Sequence, residues 1–296
     1  MNRAQPAIFA RGTRAHHFLE FALAPGATPG ELRDRLRVLR SPAVTDLDLN
    51  VLVALAPAIA RALAPEGTPW GLAPLETIPG FPEPRADVLV WIHTSAPDIA
   101  LDAARAIASG LAPIAALVGD VPAFSNREAR DLTGFIDGTE NPPAAEASAV
   151  ALIGEPARLA GSSIALVQRW RHDLDSFSSL STAEQERVFG RTKPDSVEFD
   201  EDRMPADAHV ARTSLKVGSE SLPIYRRSMP YGDAADHGLL FIAFTHDQGR
   251  IALMLASMAG ETDGVRDALT HFSTPESGAY YFVPSFELLE EIAAGS

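Results

Sequence analysis

The chain has 296 residues, 46% apolar and 22% charged, long enough for two domains and apolar enough for a full core. Its 39 acidic and 25 basic side chains give a net charge of −14, a surface that repels phosphate backbones and disfavours nucleic acid as a partner. There is no cysteine, so disulfides, thiolate nucleophiles, zinc–cysteine sites, iron–sulfur clusters and thioether-attached cofactors are excluded, and any metal must be held by nitrogen, oxygen or thioether ligands.

The opening stretch, MNRAQPAIFARGTRAHHFLEF, has no continuous apolar segment and no twin arginine, so a cytoplasmic location is expected. No apolar run approaches the roughly 20 residues of a membrane span. Apolar runs predict a strand over residues 16–24, then a helix over 28–39, with Thr28 as N-cap and Pro29 at its first position. A second strand is expected over 47–54, and a Pro/Gly-rich stretch follows over 64–84. ADVLVWIHT (86–94) reads as a buried strand and residues 96–113 as a regularly spaced amphipathic helix. After a linker-like loop at 140–148, GSSIALVQRWRHDL (161–174) reads as a strand, and Ser181 with Glu184 predicts a capping box for a helix ending at Phe189. HGLLFIAFTHD (237–247) is a further strand and residues 248–260 a helix, and FELLEEIAA closes the chain as a helix. Strand, short polar turn and amphipathic helix thus occur in the same order in both halves. That implies an α+β protein of two similar units, each an antiparallel sheet with helices on one face.

Three segments carry more than packing requires. In Gly134-Phe135-Ile136-Asp137-Gly138-Thr139-Glu140-Asn141-Pro142, Asp-Gly alone is ordinarily a hairpin turn. The longer pattern could bring backbone close to a flat ligand while presenting one carboxylate. In Asp207-Ala208-His209-Val210-Ala211-Arg212-Thr213-Ser214, a histidine in a strand or loop is usually a satisfied structural residue. His16, His17, His93, His172, His237, His246 and His271 are read that way, none of them standing in a spacing such as HExxH. In Ile224-Tyr225-Arg226-Arg227-Ser228-Met229-Pro230-Tyr231-Gly232, the plain reading is a solvated arginine pair at the end of a strand.

Together these segments resemble the dye-decolourising peroxidase family. GFIDGTENP is similar to its signature loop, AHVARTS to the segment of its proximal histidine, and YRRSMPYG to that of its distal arginine. Gly190-Arg191-Thr192-Lys193 is similar to the segment whose arginine binds a haem propionate, and the match extends from about Ala7 to the YYFVPS run. Length, short loops and the missing export signal resemble the bacterial B-type subgroup. The resemblance implies two ferredoxin-like domains of the dimeric α+β barrel superfamily: residues 1–142, ending in the aspartate loop, and residues 143–296, holding one b-type haem. It makes His209 the proximal iron ligand, with Asp267 its candidate hydrogen-bond partner, and Asp137 with Arg226 the catalytic pair. Arg191, Gly138, Thr139 and Ser228 are implied to border the cofactor, Ser228 standing where many relatives carry asparagine.

The implied activity is reduction of hydrogen peroxide and oxidation of dyes, phenolics or other one-electron donors through high-valent iron. A haem carrier, store or sensor on the same fold is the alternative, needing His209 and Arg191 but not the Asp137–Arg226 pair. Trp91, Trp170, Tyr225 and Tyr231 read first as core aromatics and second as steps for electrons. Homo-oligomerisation is implied by analogy with relatives. The stop at Gly295-Ser296, soon after the last helix, argues against docking into a protein shell.

Overall fold

The alternating apolar runs form two small sheets that close on each other. In the computed structural model, which describes residues 3–39, 48–66, 68 and 86–295, the first half runs β1 (Ala15–Leu23), α1 (Pro29–Leu39), β2 (Asn50–Leu55), α2 (Pro57–Leu63), β3 (Val88–Thr94), α3 (Pro97–Leu111) and β4 (Ala115–Phe124). The second half begins with α4 (Ala147–Ala151), β5 (Ser163–His172), α5 (Leu174–Ser179), α6 (Thr182–Phe189) and α7 (His209–Thr213). It continues through β6 (Lys216–Val217), β7 (Glu220–Ser221), β8 (Tyr225–Arg226), β9 (Met229–Gly232), β10 (His237–Thr245), α8 (Gln248–Ala259), β11 (Ser273–Val283) and α9 (Phe286–Ala294). Among the described residues no helix is long and apolar enough to cross a membrane.

In the first half the strand order is β4-β1-β3-β2, and in the second it is β8/β9-β10-β5-β11, each a ferredoxin-like arrangement with antiparallel neighbours. The two sheets meet at one residue pair on each side, Phe282 with Leu55 and Ala123 with Tyr231, so the whole forms a barrel. Period-two alternation then sends side chains either into the lumen or outward. Phe18, Trp91, Val167, Ile242, Phe244 and Tyr281 fill the lumen. Outward residues of the first sheet, including Leu19, Val53, Val90 and Ile92, pack under helices α1, α2, α3 and α9. Outward residues of the second, Ile164, Leu166, Ala243 and Tyr280, pack under α8.

Local signals act as the sequence suggests at the helix starts. Thr28 and Glu31 cap α1 reciprocally, and Ser181 and Glu184 form a capping box on α6. The strand expected over 47–54 is observed at Asn50–Leu55, Leu47 lying outside the described residues, as does most of the 64–84 stretch. Two long strands escape the pattern, besides the short β6 to β9. β4 is exposed along most of its length and carries Gly119 and Pro122, while β11 opens with Pro275 and a bulge before Ser277. Residues 209–213 are a short helix rather than strand or loop.

Two histidines lie in the lumen. His16 and His93 are 3% and 0% exposed and flank Trp91, whose indole N–H donates to His16 Nδ1 at 3.3 Å. Burial, and for His93 the nearby Arg227, lower the pKa of His93 from 6.5 to about 4. Burial, followed by the charges of His93 and Arg227, lowers that of His16 to about 3. The folded pKa values lie below the unfolded ones, so the unfolded chain binds more protons below about pH 6.5, and stability falls as pH drops through that window. Thermal unfolding should therefore show a stability loss on the order of several kcal/mol between about pH 7 and 4. His93→Gln, which cannot titrate, should flatten the slope; an unchanged slope would refute this origin.

Candidate active site

On the outer face of the second sheet α8 covers only part of the surface. Gln168, Trp170 and His172 of β5 and Leu239 and Phe241 of β10 are left for two adjoining cavities of about 350 and 80 Å³. Helices α6 and α7 and the loop that follows β4 form the remaining walls, with Phe135, Phe189, Val210, Ile224, Met254 and Leu269 giving an apolar lining. Asp137, His172, His209 and Arg226 line both spaces.

His209 is the first residue of α7. Its Nδ1 lies 2.7 Å from Asp267 Oδ2. Asp267 is fully buried, and its other oxygen accepts from the N–H of Leu269 at 2.9 Å, capping the 3-10 turn Ala268–His271. A carboxylate only accepts, so Nδ1 carries the proton and Nε2 keeps its lone pair. Phe189 meets the imidazole edge-on at 6.1 Å, and Phe135 stacks on Phe189 at 3.9 Å.

Asp137 sits in the tight loop after β4, and Arg226 ends β8. A residue that motif reading passes over joins them. Asn141 Oδ1 accepts from the Arg226 N–H at 2.7 Å, and its Nδ2 donates to the Arg226 carbonyl at 2.8 Å. This staple needs room: Gly138 has φ 76°, and a Cβ there would lie 2.9 Å from Asn141 Nδ2. The Asn-Pro ending of the loop is the signal that could have marked it. No hydrogen bond or ion pair joins Asp137 to the Arg226 guanidinium among the described residues.

Arg191, 7% exposed, lies along the cavity wall. It donates to Thr139 Oγ1 at 2.9 Å, to the Ser196 carbonyl at 3.0 Å and to Glu198 at 3.0 Å, and Glu140 lies 3.2 Å away. Ser228 does not line these two cavities. It lines a third cavity of about 470 Å³, shared with Asp137, Arg226 and His16, and its buried Oγ has no partner among the described residues. Trp91, Trp170, Tyr225 and Tyr231 are all at most 9% exposed.

A family model described as "Dyp-type peroxidase, C-terminal" matches residues 128–288, more than half of the chain. The chain belongs to the Dyp-type peroxidase family. A relative named dye-decolorizing peroxidase, from Mycolicibacterium paratuberculosis, is 36% identical over 224 residues, which are 74% of this chain. The match spans only 62% of that relative's length. Among solved structures, a Dyp-type protein from Shewanella oneidensis superposes with a TM-score of 0.90 at 30% identity, covering 98% of this chain and 99% of the other. A DypB variant from Rhodococcus jostii RHA1, solved in complex with heme, superposes at 0.89 with 31% identity, again covering 98% and 99%. This Dyp-type chain thus shares the family architecture along nearly its whole length.

Proposed function

We propose that the chain binds one b-type haem through His209 and reduces hydrogen peroxide at the expense of dyes, phenolics or other one-electron donors. The observation that carries this reading is the single cavity that gathers a carboxylate-tethered imidazole with Asp137 and Arg226. The donor set fits a macrocycle that brings its own nitrogens. No cluster of three His, Cys, Asp or Glu able to hold a bare ion occurs among the described residues, and His209 offers one free nitrogen in an apolar setting. Arg191 and Thr139 offer donors for acidic substituents, the half-exposed Glu140 and Glu198 giving way. In this reading residues 1–142 contribute the aspartate loop and 143–296 the haem-holding unit.

Bound haem supplies the iron at which the peroxide O–O bond can be broken. Asp267 holds the His209 ring in one tautomer and makes it a stronger electron donor. Asp137 takes the proton from one peroxide oxygen and delivers it to the leaving oxygen, directly or through water. Arg226 stabilises the negative charge that grows on that oxygen through its planar guanidinium. The apolar walls limit water.

One equivalent of peroxide mixed with the haem-loaded chain in a stopped-flow spectrometer should change the Soret band, and a phenolic donor should restore it. A haem-loaded chain whose spectrum ignores peroxide would support the carrier or sensor reading instead.

A further inference from the structure

Three buried side chains that the proposed chemistry does not use form a hydrogen-bonded line at the edge of the cavity. Asp131, His172 and Ser273 are 8%, 8% and 4% exposed. His172 Nε2 lies 3.1 Å from Asp131 Oδ1, and His172 Nδ1 lies 2.6 Å from Ser273 Oγ. The direction of the line follows from valence. The carboxylate can only accept, so Nε2 carries a proton, and in the neutral ring Nδ1 then accepts from the serine hydroxyl. Burial by itself would raise the Asp131 pKa, but His172 and the Thr133 donors outweigh it and hold the carboxyl below its ordinary value. The anion therefore persists, paired and fully bonded.

Asp131 is also the hub of the turn that delivers Asp137. Its Oδ2 accepts from the Thr133 N–H at 2.9 Å and from Thr133 Oγ1 at 2.5 Å. Its own N–H donates to the Phe135 carbonyl and its carbonyl accepts from Gly134, so the first half of the turn is folded around this one residue. Asp137 follows at once, its N–H donating to Ala129 at 2.9 Å. The first half of the loop has other outside ties that reach less regular chain, Arg130 donating to the Lys193 and Pro194 carbonyls and Ile136 to Ser196 Oγ, while its far end is held to β8 through Asn141. His172 is different. It ends β5, a central strand, and pairs in register with Ser273, which opens β11. Through Asp131 the loop is thus bonded to the rigid part of the second sheet.

We propose that His172, backed by Ser273, is a positioning residue for Asp137: it anchors the Asp131 turn so that the carboxylate six residues on stands ready for its proton transfer. The inference rests on the peroxidase reading above. A proton-transfer group displaced by about 1 Å loses on the order of 10²-fold in rate, so an anchor of this kind acts on rate rather than on haem content.

The test compares haem-loaded full-length His172→Leu, His172→Gln and Ser273→Ala, each alone and combined with Asp137→Ala, by the second-order rate of reaction with hydrogen peroxide. His172→Leu should slow that rate about ten- to hundred-fold, with the haem content of the wild type. His172→Gln, whose amide N–H can still donate to Asp131, should recover most of it, and Ser273→Ala should lose only a few-fold. In the Asp137→Ala background the added loss should shrink to less than about two-fold, because the anchored group is gone. A wild-type rate in His172→Leu, or an undiminished loss beside Asp137→Ala, overturns the proposal. If the leucine variant does not fold, the glutamine and Ser273→Ala variants decide by the same non-additivity. Wild type that ignores peroxide would bring down the peroxidase reading and this inference together, whereas reactive wild type beside additive variants would bring down this inference alone.

Discussion

Arg226→Ala should slow the reaction of the haem-loaded chain with peroxide by about 10²–10³-fold, the scale of losing one preorganised charge-stabilising group. Three features lead to this expectation. The Arg226 backbone is stapled by Asn141, so the side chain starts from a fixed point. Its guanidinium has no hydrogen-bond or ion-pair partner among the described residues, leaving its charge available to an incoming group. It lines both of the cavities that His209 lines, beside mostly apolar walls where a charge acts through a lower dielectric than water. Arg226→Lys should restore part of the rate, since the charge returns without the planar fork. Haem content should match the wild type in both variants. An alanine variant within about two-fold of the wild-type rate would show that the cation is dispensable and leave Asp137 to act alone.

His209→Ala should abolish stable haem retention, measured as the Soret absorbance that survives gel filtration after loading. Removing an outer partner of a metal-bound histidine typically costs about 10–100-fold in affinity, and removing the ligand itself should cost more. Asp267→Asn separates the two effects. Asparagine keeps the size of the side chain and can still accept from Nδ1, so haem should remain, bound about 10–100-fold more weakly. Full Soret intensity in His209→Ala would mean that some other group holds the iron, and the site would have to be redrawn.

Which parts of this architecture a reader of the sequence can reach follows from where the information is local. β3 and β5 show as apolar runs because both their faces are covered, and α1 and α6 announce themselves through short-range caps. β4 is hidden because one of its faces is exposed and Gly119 and Pro122 break its alternation. The resemblance found Asp137, Arg191, His209 and Arg226, and the structure puts all four on one cavity. What gives that cavity its room, the partial cover of the second sheet by α8, is a matter of packing between distant segments. The same holds for Asn141 and His172. Asn141 reads as a loop residue until its contact 85 positions away is seen, and His172 as a structural histidine until Asp131 and Ser273 flank it. Ser228, grouped with the cofactor from its neighbours in the motif, lines an adjoining space that Asp137 and Arg226 also line.

The barrel's two seams are each a single residue pair long. So few backbone bonds cannot by themselves weld the sheets; the side chains that both sheets contribute to the shared interior do so. The two ferredoxin-like units should consequently melt as one cooperative body, each losing half of its hydrophobic partner when the other opens. A residue as deep as Trp91 then sets the stability of the second sheet although it belongs to the first.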